Sequence, residues 1–213
     1  MEKVTTKRQG KQTAAAAEAT KRKIIQCATE LFACKGFENA SLREIAHAAD
    51  ISHGTLRHHF GSKMSVWAAV LESVLEEYGQ RMWPIIRAAE LSDQPLQAFR
   101  SVVRGFIEVS LDNPTFAQLF VRESAEADQR HQIFMTFFAG MHQGIEPLFL
   151  KAKAQSKSLA HFNNDTFFLS LLSLTFFPLS ISGIQAALPG AHLEQKQDRI
   201  EFLLRLMFTE QSE

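Results

Sequence analysis

The chain has 213 residues, 46% of them hydrophobic, with 23 Lys/Arg against 23 Asp/Glu. That length can bury one large core or two modest ones, and zero net charge argues against a protein that coats nucleic acid indiscriminately. No apolar run reaches the ~18 residues that span a bilayer, and the first residues lack a signal peptide's apolar stretch. A cytoplasmic protein with no membrane partner is expected.

The charge is unevenly placed. Residues 1–63 hold 11 Lys/Arg and 6 Asp/Glu, whereas residues 64–213 hold 12 and 17. A basic first third is the electrostatic footprint of a DNA-binding segment. Within it, Lys3, Lys7, Arg8 and Lys11 sit among Thr, Gln and Gly without hydrophobic period. Residues 1–18 therefore read as a flexible basic arm, either following a minor groove or simply solvated. An Ala-rich helix start follows between Thr13 and Thr20, and Lys21, Arg22 and Lys23 continue the positive edge. Cys27 and Cys34, seven apart on this helix, are about 10 Å apart along it. That is too far for an intrachain disulfide, so they read as packing or surface thiols, with redox sensing the alternative.

Ser41-Leu-Arg-Glu44 is a capping box, and Leu42, Ile45, Ala46 and Ala49 make one apolar stripe on the helix it opens. Asp50 and Ile51 turn the chain, and Ser52 caps the next short helix. There Leu56 and Phe60 point inward. His53, Gly54, Arg57 and His58 lie opposite, with Thr55 and His59 at the flanks. Gly61-Ser62 ends this helix, and Ser62 caps the following one, with Lys63 in its first turn. Two short helices joined by a tight turn, the second polar outside, are the helix-turn-helix pattern.

Three ordered blocks then resemble the N-terminal DNA-binding domain of the TetR/AcrR family of bacterial transcription regulators. They are Ile24-Ile25 to Leu31-Phe32 with Gly36-Phe37; Ser41-Leu-Arg-Glu-Ile-Ala46; and Ile51-Ser-His-Gly-Thr-Leu56, continuing through His59-Phe60, Ser62-Lys63 and Ala69-Val70. The resemblance implies an all-α homodimer: a three-helix head over residues 19–63, and a helical body over residues 64–213 that binds a ligand and dimerises. Carried over by position, Ser41 and Arg43 approach phosphates, Ser52, His53, Gly54 and Thr55 meet the major groove, and His59 and Lys63 hold the phosphate backbone. Arg57 stands where the family usually has Tyr. It either reads guanine O6/N7, worth about 1–3 kcal/mol of discrimination, or neutralises a phosphate.

Beyond residue 63 the pattern is helical throughout. One helix runs from Met64 to about Arg87, bent or ended near Trp83-Pro84. Others run from Pro95 to Leu111, from Pro114 to about Glu123, and from about Asp128 to Lys153. Ala154–His161 is a polar connector. A helix apolar nearly all round then runs from Asn164 or Asp165 to Leu188, and Leu193–Thr209 is the last. Phe168, Leu172, Ile200, Leu203, Leu204 and Met207 on the last two helices suit a subunit interface. Of the 18 Phe, 15 lie after residue 63. Phe106, Phe120, Phe134, Phe137, Phe138, Phe176 and Phe177, with Met141 and Trp83, read as lining an adaptable apolar pocket, with plain core filling as the alternative.

No Ser/His/Asp or Cys/His signature and no pair of Glu-x-x-His segments is present. His58 and His59 diverge by about 100° on one helix, which is poor geometry for a single metal. No enzyme, metal or cofactor is expected. The reading is a dimeric regulator of double-stranded operator DNA, a repressor released by a small hydrophobic or amphipathic effector. Its alternatives are a constitutive or architectural DNA-binding regulator that senses nothing, and a helical small-molecule carrier.

Overall fold

Every regular element among the described residues of the computed structural model is helical; these residues are 5–124, 129–181, 187–188 and 195–209. The chain forms two compact units that divide between Leu75 and Glu76. The first contains α1 (Thr5–Lys35), α2 (Leu42–Ala48), α3 (His53–Phe60) and the opening turns of α4 (Lys63–Glu90).

Two features of this unit depart from the sequence reading. Helix α1 begins at Thr5, so helical backbone covers most of the segment expected as a flexible arm. The four consecutive alanines Ala14–Ala17 are the strongest helix formers available, and the helix continues on both sides of them. The division between units also falls later than residue 63. Val66, Trp67 and Val70 of α4 are buried and belong to the first unit.

The core of the first unit follows from spacing. Ile24, Ala28 and Phe32 recur every fourth residue on α1, and all are buried with Ile45, Ala46, Ala49 and Leu56. Each large side chain among them contributes about 1.5–3 kcal/mol on burial. Two glycines end helices in the left-handed region that other residues avoid: Gly36 (φ 80°) after α1 and Gly61 (φ 73°) after α3. Ser62 Oγ accepts from the Ser65 N–H at 3.0 Å and so caps α4.

The second unit contains the rest of α4, α5 (Pro95–Asp112), α6 (Pro114–Ser124), α7 (Gln129–Lys153), a 3-10 turn at Lys157–Leu159, α8 (Asn164–Ser180) and α9 (Lys196–Phe208). Pro95 and Pro114 occupy first helical positions, where a missing N–H costs nothing. Helix α4 continues through Pro84 rather than ending there. Asn163 and Thr166 form a capping box at the start of α8. That helix is shorter than expected, stopping at Ser180 with Pro178 in its last turn. Most of the expected continuation, residues 182–186, lies outside the described residues.

Phe99, Val102, Val103, Phe106 and Ile107 turn one face of α5 into the core, against α7, α8 and α9. At Gly105 of α5 an added Cβ would come within 2.5 Å of Ile85 Cδ1 on α4, so a larger residue there would force the end of the Ile85 side chain to shift. On the outside, the Asp112 carboxylate accepts from Arg81 at 2.6 Å and also from Lys196, tying α4 and α9 to the end of α5.

Candidate DNA-binding surface and body cavity

The helix-turn-helix is set by local hydrogen bonds. Ser41 Oγ accepts from the Glu44 N–H at 3.2 Å, while a Glu44 carboxylate oxygen accepts from the Ser41 N–H at 2.9 Å. The other Glu44 oxygen accepts from Lys35 Nζ at 2.7 Å. Lys35 and Ser41 together hold the Glu44 carboxyl at about 2, against an ordinary 4.5. Sequence reading missed Lys35, because its partner lies across the turn from α1. Between α2 and α3, Asp50 takes φ 53°, a conformation that Asp tolerates better than most residues.

Ser52 caps α3, accepting from the Thr55 N–H at 3.0 Å, with its hydroxyl 2.8 Å from that of Thr55. The two residues expected to meet the groove are therefore also each other's partners. Leu56 is fully buried. Gly54, Arg57 and His58 are exposed on the opposite side, and His53, Thr55 and His59 are half-buried at the flanks. No acidic residue occurs in α3, and among the described residues no hydrogen bond or ion pair holds the Arg57 guanidinium. Arg43 and His47 add two exposed basic side chains from α2. The outward face of α3 thus offers donors and positive charge on a locked apolar base, as an element that enters a groove requires.

Lys63, expected to hold the phosphate backbone, makes its contacts within the head. Its ammonium donates to the backbone carbonyls of Phe37 (2.8 Å), Glu38 (3.3 Å) and Ala40 (3.1 Å). It also lies 4.3 Å from the centroid of the Phe37 ring. No spacing rule signals this, since the carbonyls lie more than twenty residues away.

The second unit has an apolar cavity of about 20 Å3, room for about one water. It is lined by Met82, Phe99, Val102, Val103, Phe106, Ile145, Asn164, Phe167, Phe168 and Leu171. Of the expected pocket residues only Phe106 lines it. Phe120 packs against Phe134, Phe138 and Phe176 at centroid distances of 5.0–5.3 Å, ring against ring and apart from this cavity. Met141 is half-buried away from the cavity. Trp83 and Phe177 are about half exposed, and the Phe137 side chain lies outside the described residues. Asn164, the one polar lining residue, has its Nδ2 at 2.9 Å from Nε2 of His142 on α7. The four-residue recurrence of Phe99, Val103 and, one step short, Phe106 was the available signal for the missed lining.

The expected interface residues are placed differently. Phe168, Leu172, Ile200, Leu203, Leu204 and Met207 are all buried within the protomer. The exposed apolar side chains of the same two helices are Leu169 (65%), Phe177 (52%), Phe202 (50%) and Leu206 (50%). A helix apolar all round has no periodic signal to say which side meets its own core.

A helix-turn-helix head followed by a helical body defines a class of transcriptional regulators. Residues 24–70 match the family model for bacterial regulatory proteins of the tetR family. The regulator RutR of Escherichia coli K12 is 32% identical over 109 residues, covering 51% of this chain and 49% of RutR. SrpR of Pseudomonas putida is 41% identical over 63 residues, 30% of each chain. UidR of E. coli K12 is 30% identical over 119 residues, 55% and 56% of the two chains. All three are named as HTH-type transcriptional regulators. Residues 24–70 are thus a DNA-binding domain of the tetR type, and the chain spans about half the length of the relatives RutR and UidR.

Solved structures extend the likeness of fold to the whole body. AibR, crystallised with isovaleryl coenzyme A and operator DNA, superposes with a TM-score of 0.70 at 16% identity, over 89% of this chain and 98% of AibR. HlyIIR, a hemolysin II transcriptional regulator, superposes with a TM-score of 0.68 at 16% identity, over 91% and 99% of the two chains. No helix among the described residues is long and apolar enough to cross a membrane.

Proposed function

We propose that this protein is a dimeric, sequence-specific DNA-binding repressor released by a small, mostly apolar effector held in its body. The observation that carries the DNA-binding part is the outward face of α3, where Gly54, Arg57 and His58 stand exposed on a helix without acidic residues. Ser41, Arg43, Ser52, His53, Thr55 and His59 flank that face as phosphate and groove contacts. One head of this size has few base contacts, and two heads in a dimer add theirs, entering major grooves about one helical turn apart. The exposed Leu169, Phe177, Phe202 and Leu206 supply an apolar face for the partner copy.

The effector reading is supported by the apolar cavity and its single amide, together with the fold shared with AibR, a protein that binds an acyl-coenzyme A. At about 20 Å3 the cavity is far below the ~300 Å3 of a ligand site, so an effector must part α5, α7 and α8 to enter. That requirement is also the means of regulation, because a ligand shifts an equilibrium only by binding one conformation better than the other. Among the described residues, the small volume of this cavity favours the second reading, a constitutive regulator that senses nothing.

Fluorescence-anisotropy titration of labelled promoter DNA against a scrambled duplex, across salt, tests the proposal. A preference of about a thousandfold or more for the promoter supports it. Equal, steeply salt-dependent binding to both assigns the head to phosphate alone. Absence of binding at low salt refutes the regulator reading. Ligand-induced thermal stabilisation that coincides with release of DNA separates the effector reading from the constitutive one.

A further inference from the structure

We propose that Lys63 works inside the head, as a clamp that positions α2 and α3, and not as a contact to DNA phosphate. An ammonium has three N–H donors and no more. Three carbonyls, those of Phe37, Glu38 and Ala40, lie 2.8–3.3 Å from Nζ. The Phe37 ring covers another side of the ammonium at 4.3 Å, adding a cation–π contact. A phosphate oxygen would have to displace one of these partners, leaving a carbonyl without its charged donor.

The three acceptors belong to one short stretch, the turn that joins α1 to α2. Ala40 immediately precedes Ser41, the N-cap of α2. Lys63 itself follows the end of α3 by two residues, Gly61 and Ser62, and opens α4. The clamp therefore joins the start of α2 to the end of α3. Their inner ends are already joined by the turn through Asp50, so both ends of the helix-turn-helix are fixed. Chemistry also explains the residue type. Lysine directs three donors from one point toward converging acceptors, whereas the planar guanidinium of arginine spreads its donors in a fork.

This rests on the DNA-binding reading only for its affinity arm, and the experiment keeps the two apart. Full-length Lys63→Met and Lys63→Arg are compared with the parent by amide hydrogen exchange and by operator titration across salt. Both are measured at a temperature where circular dichroism shows every protein folded. The clamp predicts loss of protection in residues 37–48 by about tenfold or more in both variants. It also predicts a comparable fall in operator affinity, with the slope of log K against log salt unchanged. A slope shallower by about 0.9 with protection retained would make Lys63 a phosphate contact and overturn the proposal. Full affinity and protection in Lys63→Arg would overturn it too, because charge alone would then suffice. Reduced protection with unchanged affinity would reduce Lys63 to a purely structural residue. If the parent protein binds no DNA, the regulator reading falls, and the exchange data alone decide the clamp.

Discussion

At the scale of single residues, the helix-turn-helix separates groups used by the protein from groups left over. Gly54 is one left over: a Cβ there would meet only Ser52 Oγ, at an ordinary 3.6 Å, and its φ is not in the left-handed region. Packing within the protein does not require glycine, and alanine should raise helix stability by about 0.5–1 kcal/mol. Gly54→Ala is expected to raise Tm while weakening operator binding, because the added methyl obstructs close approach of α3 to the groove. Differential scanning fluorimetry and anisotropy on the same sample check both halves; unchanged affinity would remove Gly54 from the contact surface. Tyr78 is the opposite case. Its hydroxyl is buried with no hydrogen-bond partner among the described residues, its ring packs against those of Phe106 and Phe116, and burial pushes its pKa well above the ordinary phenol value. An unsatisfied buried hydroxyl costs about 1–3 kcal/mol. Tyr78→Phe should therefore stabilise the protein by about 1 kcal/mol in urea denaturation, and a destabilised variant would show that the hydroxyl has a partner.

At the scale of elements, the corner between α1 and α2 is held by charge as well as by caps. Ser41 caps α2, Lys35 reaches Glu44 from the end of α1, and Lys63 holds the intervening carbonyls from the start of α4. The Glu44 carboxyl, depressed to about 2 from an ordinary 4.5, gives the corner a pH dependence of known sign. A carboxyl whose folded pKa is lowered contributes stability that is complete above its unfolded value and is lost as pH falls through its folded one. The contribution should therefore persist above about pH 4.5 and fade toward pH 2. Because both partners are exposed, it is screened by salt. In Lys35→Met, NMR titration should find the Glu44 pKa raised but still below 4.5, since the Ser41 hydrogen bonds remain. An unmoved pKa would mean that Ser41 alone sets it.

At the scale of the whole molecule, α8 and α9 each have one apolar side that is buried and another that is exposed. Leu203 and Leu204 are buried in the protomer, whereas Phe177 and Leu206 are half exposed. If the exposed side meets a second copy, the double variant Phe177→Glu with Leu206→Glu should sediment as a folded monomer, with operator affinity reduced because the two heads no longer add. Leu204→Glu should instead abolish cooperative unfolding, since it buries an unpaired charge. A double variant that remains dimeric would move the interface to another surface.

Much of this organisation is legible from the chain alone, and the reason is range. Caps such as Ser41, Ser52 and Ser62, helix-starting prolines such as Pro95 and Pro114, and apolar residues three or four apart act over a few positions. They specify the helix-turn-helix and the succession of helices without reference to anything distant. The tertiary structure alone decided matters that depend on residues far away in the chain. It turned Phe168 and Leu203 inward and left Leu169 and Phe202 outside, a choice that the uniform apolarity of α8 does not encode. It set Phe120, Phe134, Phe138 and Phe176 ring against ring and left a cavity lined chiefly from α5 and α8. It also drew the Lys63 ammonium to carbonyls more than twenty residues back, because a charged donor takes the acceptors that the fold brings within reach.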